Sequence, residues 1–129
     1  FQTPPCIRRA EAACHALLDR LLGDRIPTVL DATNLREIHR RPLYQIAEKR
    51  GAKLVLVEVK APPEVVRRRL QARLRGENPW DQSLAGPEVY VRMRRQAEPI
   101  ERPHLVVDTS GDIGPALGEL VRELQGACV

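Results

Sequence analysis

LVLVEVKAPPEVVRRRL, residues 54–70, is the stretch on which the fold turns. Leu54 to Val59 is nearly unbroken in its apolar character and β-branched at every second position, the mark of a strand covered on both faces and central in its sheet. Ala61-Pro62-Pro63-Glu64 then opens a helix, because proline fits the first helical turn, where its missing N–H is not needed. In that helix Val65, Val66 and Leu70 face inward and the arginines outward. A buried strand running directly into an amphipathic helix is half of a βαβ unit.

The pattern repeats on both sides. Upstream, Thr3-Pro4-Pro5 marks a helix start, and Ile7, Ala10, Cys14, Leu17, Leu18 and Leu21 recur at helical spacing until Gly23-Asp24 ends the run. Ile26 to Leu30 reads as a short buried strand with Asp31 at its carboxyl end. Residues 34–50 read as a helix with Leu35, Leu43, Ile46 and Ala47 on one face and Gly51 just past its end. Downstream, residues 76–86, carrying Asn78, Pro79 and Asp81, have no period and read as a loop. Pro87 begins a helix through Met93, Leu105 to Asp108 is a short strand, and Ile113, Leu117, Leu120, Val121 and Leu124 form a terminal helical stripe. Strands alternating with helices predict an α/β fold: a doubly wound parallel sheet with helices on both faces, as one domain over residues 1–129.

Composition agrees with an aliphatic sheet. Of the 129 residues 43% are hydrophobic but only 3% aromatic, so Leu, Val, Ile and Ala must fill the core. No run approaches the roughly 18 apolar residues of a membrane helix, and no leader-like segment is present. The expectation is a cytoplasmic protein without a membrane partner. Three cysteines without CxxC spacing suggest reduced thiols rather than a disulfide framework or a zinc site. The net charge of +4 suits an anionic partner, and arginines concentrate at residues 36–41, 67–75 and 92–95.

In open parallel sheets ligands bind beyond the carboxyl ends of the strands. Asp31-Ala32-Thr33-Asn34 sets a carboxylate, a hydroxyl and an amide at one such rim, suited to a magnesium-bound water, an arginine or a substrate hydroxyl. Alone, the same residues also read as a turn with Asn34 capping the next helix. Arg73 and Arg75 stand at the base of the 76–86 loop, where guanidinium groups can close over a polyphosphate. Most of Arg67, Arg68 and Arg69 read as solvated on the outer face of their helix. Residues 108–112 either line a base pocket or form a polar turn, and Trp80 either stacks on a base or anchors its own loop. His15, His39 and His104 read as structural.

Three stretches, VLDATNLREIHRR at 29–41, VEVKAPPEVVRRRLQARLRGE at 57–77 and VYVRMRRQAEPIERPHLVVDTSGD at 89–112, together resemble the P-loop kinase superfamily, in particular its polynucleotide-kinase and zeta-toxin-like group of ATP-dependent kinases. The resemblance implies a lid around Arg75 to Gly86, Arg73 and Arg75 as ATP-binding residues, and Asp31 as the catalytic carboxylate. Thr33, Asn34, Arg36 and Arg40 then fall on the substrate side. ATP with Mg²⁺ is the implied cofactor, and the implied acceptor is a hydroxyl of a nucleic-acid end, nucleotide or small metabolite. Such kinases also carry a G-x-x-x-x-G-K-[ST] loop after a first strand, and no such motif occurs in these residues. With Phe1 standing directly before a helix start, the expectation is that the first strands and the loop are missing, and that the chain as it stands transfers no phosphoryl group. The alternative is a non-catalytic nucleotide- or RNA-binding module on the same scaffold. The acceptor and the oligomeric state stay open.

Overall fold

Along the chain the elements are α1 (Pro5–Gly23), α2 (Glu37–Lys49), β1 (Val57–Lys60), α3 (Pro63–Leu74), α4 (Pro87–Gln96), β2 (Leu105–Asp108) and α5 (Gly114–Gln125). This computed structural model describes residues 5–80 and 85–126. Thr3, Pro4, Cys128 and the part of the expected lid at 81–84 lie outside the described residues. Proline in the first turn opens α3, α4 and α5. Glycine closes α2 and α3: Gly51 and Gly76 take φ of 63° and 70°. At each end two amides then turn back onto carbonyls inside the helix, Gly51 to Glu48 (3.1 Å) with Ala52 to Ala47 (2.9 Å), and Gly76 to Arg73 (3.0 Å) with Glu77 to Ala72 (3.2 Å). α1 ends in the same way without a glycine. There Arg25 takes φ of 59°, and Arg25 and Ile26 donate to Leu22 and Leu21.

The chain falls into two compact units, Phe1–Leu54 and Val55–Val129. In the first, α1 packs on α2. Arg40, Tyr44 and Ala47, spaced at i, i+4 and i+7, are the buried residues of α2. Asp19 of α1 grips Arg50 at the end of α2 through two bonds of 2.8 and 2.9 Å, with the Lys49 ammonium at 3.5 Å.

Two expectations for this unit are corrected. Ile26 to Leu30 forms no strand, and Val29 is 92% exposed. A strand exists only through its ladder of hydrogen bonds, and among the described residues this run has no neighbouring strand to bond. The helix expected from residue 34 starts at Glu37 instead. Asn34 has a left-handed φ of 35° and Arg36 is extended, so neither can belong to a right-handed helix.

In the second unit β1 and β2 run parallel, with Val57 opposite Leu105 and Lys60 opposite Asp108. Parallel neighbours need a long crossover, supplied here by α3 and α4, which pack on each other. α5 follows β2 and packs back on it. Leu70 of α3 and Val107 of β2 form the buried core of this unit. The observed fold is thus α/β with a parallel sheet. The expected central strand from Leu54 begins only at Val57, where its partner becomes available, and its two faces are not both covered, since Val59 is 65% exposed.

Candidate functional site

The carboxyl ends of β1 and β2 lie side by side, and there the described residues concentrate charge. Lys60 ends β1 opposite Asp108. The Thr109 amide donates to the Lys60 carbonyl (2.9 Å), so the ladder continues one residue past the strands. Ser110 turns its amide and hydroxyl onto one Asp108 oxygen (2.8 and 2.6 Å). Those two bonds, with the nearby charges of Arg69 and Lys60, hold the Asp108 carboxyl below its usual range.

Arg69 reaches this rim from α3. Its guanidinium donates to the Thr109 hydroxyl (2.7 Å) and to the Thr109 carbonyl. A groove of about 610 Å³ runs alongside, lined by Arg68, Arg69, Arg75 and Ser110 with Val65 and Ala72. The spacing explains the set: residues 65, 68, 72 and 75 lie at i, i+3, i+7 and i+10, one stripe of a 3.6-residue helix. Arg67, Arg68 and Arg69 are all exposed, but a helix turns successive residues about 100° apart and sends the three in different directions.

The two arginines expected at the loop base also part company. Arg75 lines the groove, and its Nε bonds Glu77 at 2.7 Å. That contact raises the Arg75 pKa and lowers that of Glu77. Arg73, in the last turn of α3, is half-buried and not among the groove residues.

In the first unit Asp31 and Thr33 are exposed in the irregular run after α1, Asn34 is half-buried, and Arg36 occupies the position before α2. Arg40 is only 5% exposed and its Nε bonds Glu37 across one turn at 3.2 Å. Trp80 is 91% exposed, with its amide on Asn78 Oδ1 (3.1 Å). His104 ties the Arg102 carbonyl (2.7 Å) to Glu58 of β1 (3.2 Å). Among the described residues no three His, Cys, Asp or Glu side chains are grouped to hold a metal ion. No helix among them is long and apolar enough to cross a membrane.

Sequence reasoning gave Lys60 no role and read Arg68 and Arg69 as solvated, while Ser110 fell within the 108–112 stretch read as either a base pocket or a polar turn. The available signal was position, since Lys60 and Ser110 stand at or just after strand ends, where parallel sheets place ligands.

No curated protein and no solved structure matches the chain. Residues 2–100 match the family described as an AAA domain, well over half of the sequence. The parallel strands, the connecting helices and the basic strand-end rim agree with the P-loop NTPase-like kind of fold that this match implies, and the chain belongs to the AAA domain family.

Proposed function

We propose that the protein is an ATP-dependent phosphotransferase of the P-loop kinase type, on a doubly wound sheet, acting on a hydroxyl of a nucleic-acid end, nucleotide or small metabolite. One observation carries this reading. Lys60 ends β1 and Arg69 bonds Thr109 at the carboxyl ends of two parallel strands, where such sheets bind ligands, and Arg68, Arg69 and Arg75 line the groove that shares Ser110 with that rim. Guanidinium groups meet phosphate oxygens in pairs, which gives orientation as well as charge.

The donor set suits the triphosphate rather than a bare metal, being cationic at the groove. Mg²⁺ would arrive on the phosphates and neutralise the charge that develops there. Arg69, fixed by Thr109, holds the rim in place. Arg68 and Arg75 bind phosphate oxygens, Arg75 exchanging Glu77 for the ligand. In the first unit Asp31 is assigned to the acceptor hydroxyl's proton, with Thr33, Asn34 and Arg36 orienting the acceptor. Arg40, buried beside Glu37, positions the first turn of α2. The backbone cradle that phosphoryl transfer requires is not among these 129 residues, which contain no G-x-x-x-x-G-K-[ST] motif, and in this reading other residues supply it.

The test is ATP affinity by titration calorimetry with Mg²⁺ present. The double variant Arg68→Ala, Arg75→Ala weakens binding by about tenfold or more, each lost charge-assisted contact being worth about 1.5–3 kcal/mol. Arg73→Ala, off the groove, weakens it less. Unchanged affinity in the double variant removes the groove from the ATP site. ATP binding without phosphoryl transfer to any hydroxyl acceptor replaces the kinase by a binding module.

A further inference from the structure

α3 has a second face that the strand-end groove does not use. Pro63, Arg67 and Leu70, at i, i+4 and i+7, lie on the side of α3 opposite Arg68, Ala72 and Arg75. They meet Pro87, Tyr90, Val91, Arg94 and Arg95 of α4, which share one stripe at i, i+3, i+4, i+7 and i+8. Between the helices lies a cavity of about 380 Å³, within the roughly 300–1,000 Å³ range of small-molecule sites.

Its chemistry is divided. Pro63, Leu70, Pro87, Val91 and the Tyr90 ring make an apolar floor, and Arg67, Arg94 and Arg95 stand around it. None of these three guanidinium groups is held in an ion pair among the described residues. The dipole of α4 favours cations in its last turn and so explains Arg94 and Arg95. It does not explain Arg67, in the middle of α3 and facing the same cavity. Three like charges with no ion pair among the described residues repel one another, and a bound polyanion relieves that repulsion.

We propose that this cavity is a binding site for a phosphate-bearing ligand with a flat ring, that is, one nucleotide unit. The ring lies on the Tyr90 side of the floor, where stacking accepts any base, and the phosphate bridges Arg67 to Arg94 and Arg95. A bare acidic group would use the arginines and leave the floor wet. An apolar ligand would leave the charges unopposed. This site is separate from the ATP groove and does not rest on the kinase reading, because the two are lined by opposite faces of α3.

Binding of thymidine monophosphate and of a 5′-phosphorylated thymidine octamer to the whole protein, followed by calorimetry with a saturating ATP analogue present, tests the site. At least one probe is expected to bind, with affinity falling about tenfold or more in Arg67→Ala and in Arg94→Ala, a few-fold to tenfold in Tyr90→Leu, and not at all in Arg68→Ala. Saturation by the monophosphate identifies a free nucleotide as the source, and binding of the octamer alone identifies a nucleic-acid strand. The proposal is overturned if neither probe binds, if Arg67→Ala binds as well as wild type, or if inorganic phosphate competes as effectively as the monophosphate. Thermal melts of Arg67→Ala and Arg68→Ala, both exposed substitutions, are expected to match wild type, so that lost binding reads as lost contact. Failure here with an intact Arg68 and Arg75 effect on ATP leaves the phosphotransferase reading standing.

Discussion

The two units of the molecule differ in how they use several of their arginines, although Arg75 of the second is also paired, with Glu77. In Phe1–Leu54, Arg20 bonds Asp24, Arg40 bonds Glu37, and Arg50 grips Asp19 with both arms. In Val55–Val129, Arg67, Arg68, Arg94 and Arg95 line two cavities of α3 without an ion pair among the described residues, and Arg69 takes only a hydroxyl and a carbonyl. A guanidinium already matched to a carboxylate holds its own helix in place, whereas an unmatched one is open to an anion from outside. The net charge of +4 therefore says less about ligand binding than the placement of the carboxylates that offset part of it.

The sharpest way to break this contrast is to remove one arginine of each kind. Arg40→Ala takes a buried guanidinium and its methylene stem out of the packed face of α2 and removes its bond to Glu37. It is expected to lower the unfolding free energy by about 2 kcal/mol. Arg67→Ala, on an exposed residue with no ion pair among the described residues, should stay within about 0.5 kcal/mol of wild type. Urea midpoints measure both, and equal costs would end the distinction between structural and ligand-ready arginines.

Acid titration probes the paired side of the contrast further. The Asp19 carboxyl is lowered from 3.8 to about 2, first by its hydrogen bonds with Arg50 and then by the charges of Arg50 and Lys49. A carboxyl whose pKa is depressed by folding stabilises the fold above its unfolded value, and that contribution disappears as pH falls through the folded value. Wild type should therefore be more stable than Asp19→Asn at neutral pH, and the two should converge between pH 3.8 and about 2. Both side chains are about a third exposed, so solvent screens the pair, the gap is small and it closes further in molar salt. A gap that persists at pH 2 would mean that Asp19 acts through packing rather than charge.

Which of these features could be read beforehand follows from what each depends on. β2 was legible at both ends, because Leu105 to Asp108 is an apolar run cut off by polar turn residues. The starts of α3 and α4, the glycine stop of α2 and the loop that follows α3 were legible for the same local reason. Ile26 to Leu30 failed because apolarity signals burial, while a strand needs a neighbour that no local pattern supplies. In the site, helical phase alone would have separated Arg67 from Arg68 and Arg75. What phase could not supply was the neighbour: that Arg67 meets α4 and Arg69 meets Thr109 depends on the crossover bringing residues 40 positions apart into bonding distance.

The smallest expected effect tests how local such rules are. α1, α2 and α3 all end with two amides folded back onto carbonyls of the last turn, and the residue just past each end takes φ of 59°, 63° or 70°. Glycine holds that place after α2 and α3, but Arg25 holds it after α1. A side chain there meets its own backbone, at a cost of about 1 kcal/mol or more, and glycine removes the clash at the expense of a floppier unfolded chain. Arg25→Gly is thus expected to raise stability by about 0.5 kcal/mol, and Gly51→Ala to lower it by about 1 kcal/mol. Arg25 is exposed and has no ion pair among the described residues, so the substitution removes strain without removing a contact. If Arg25→Gly instead destabilises the protein, the arginine at this helix end belongs with the structural guanidiniums of the first unit, and the division between the two units becomes stricter than the ion pairs alone indicate.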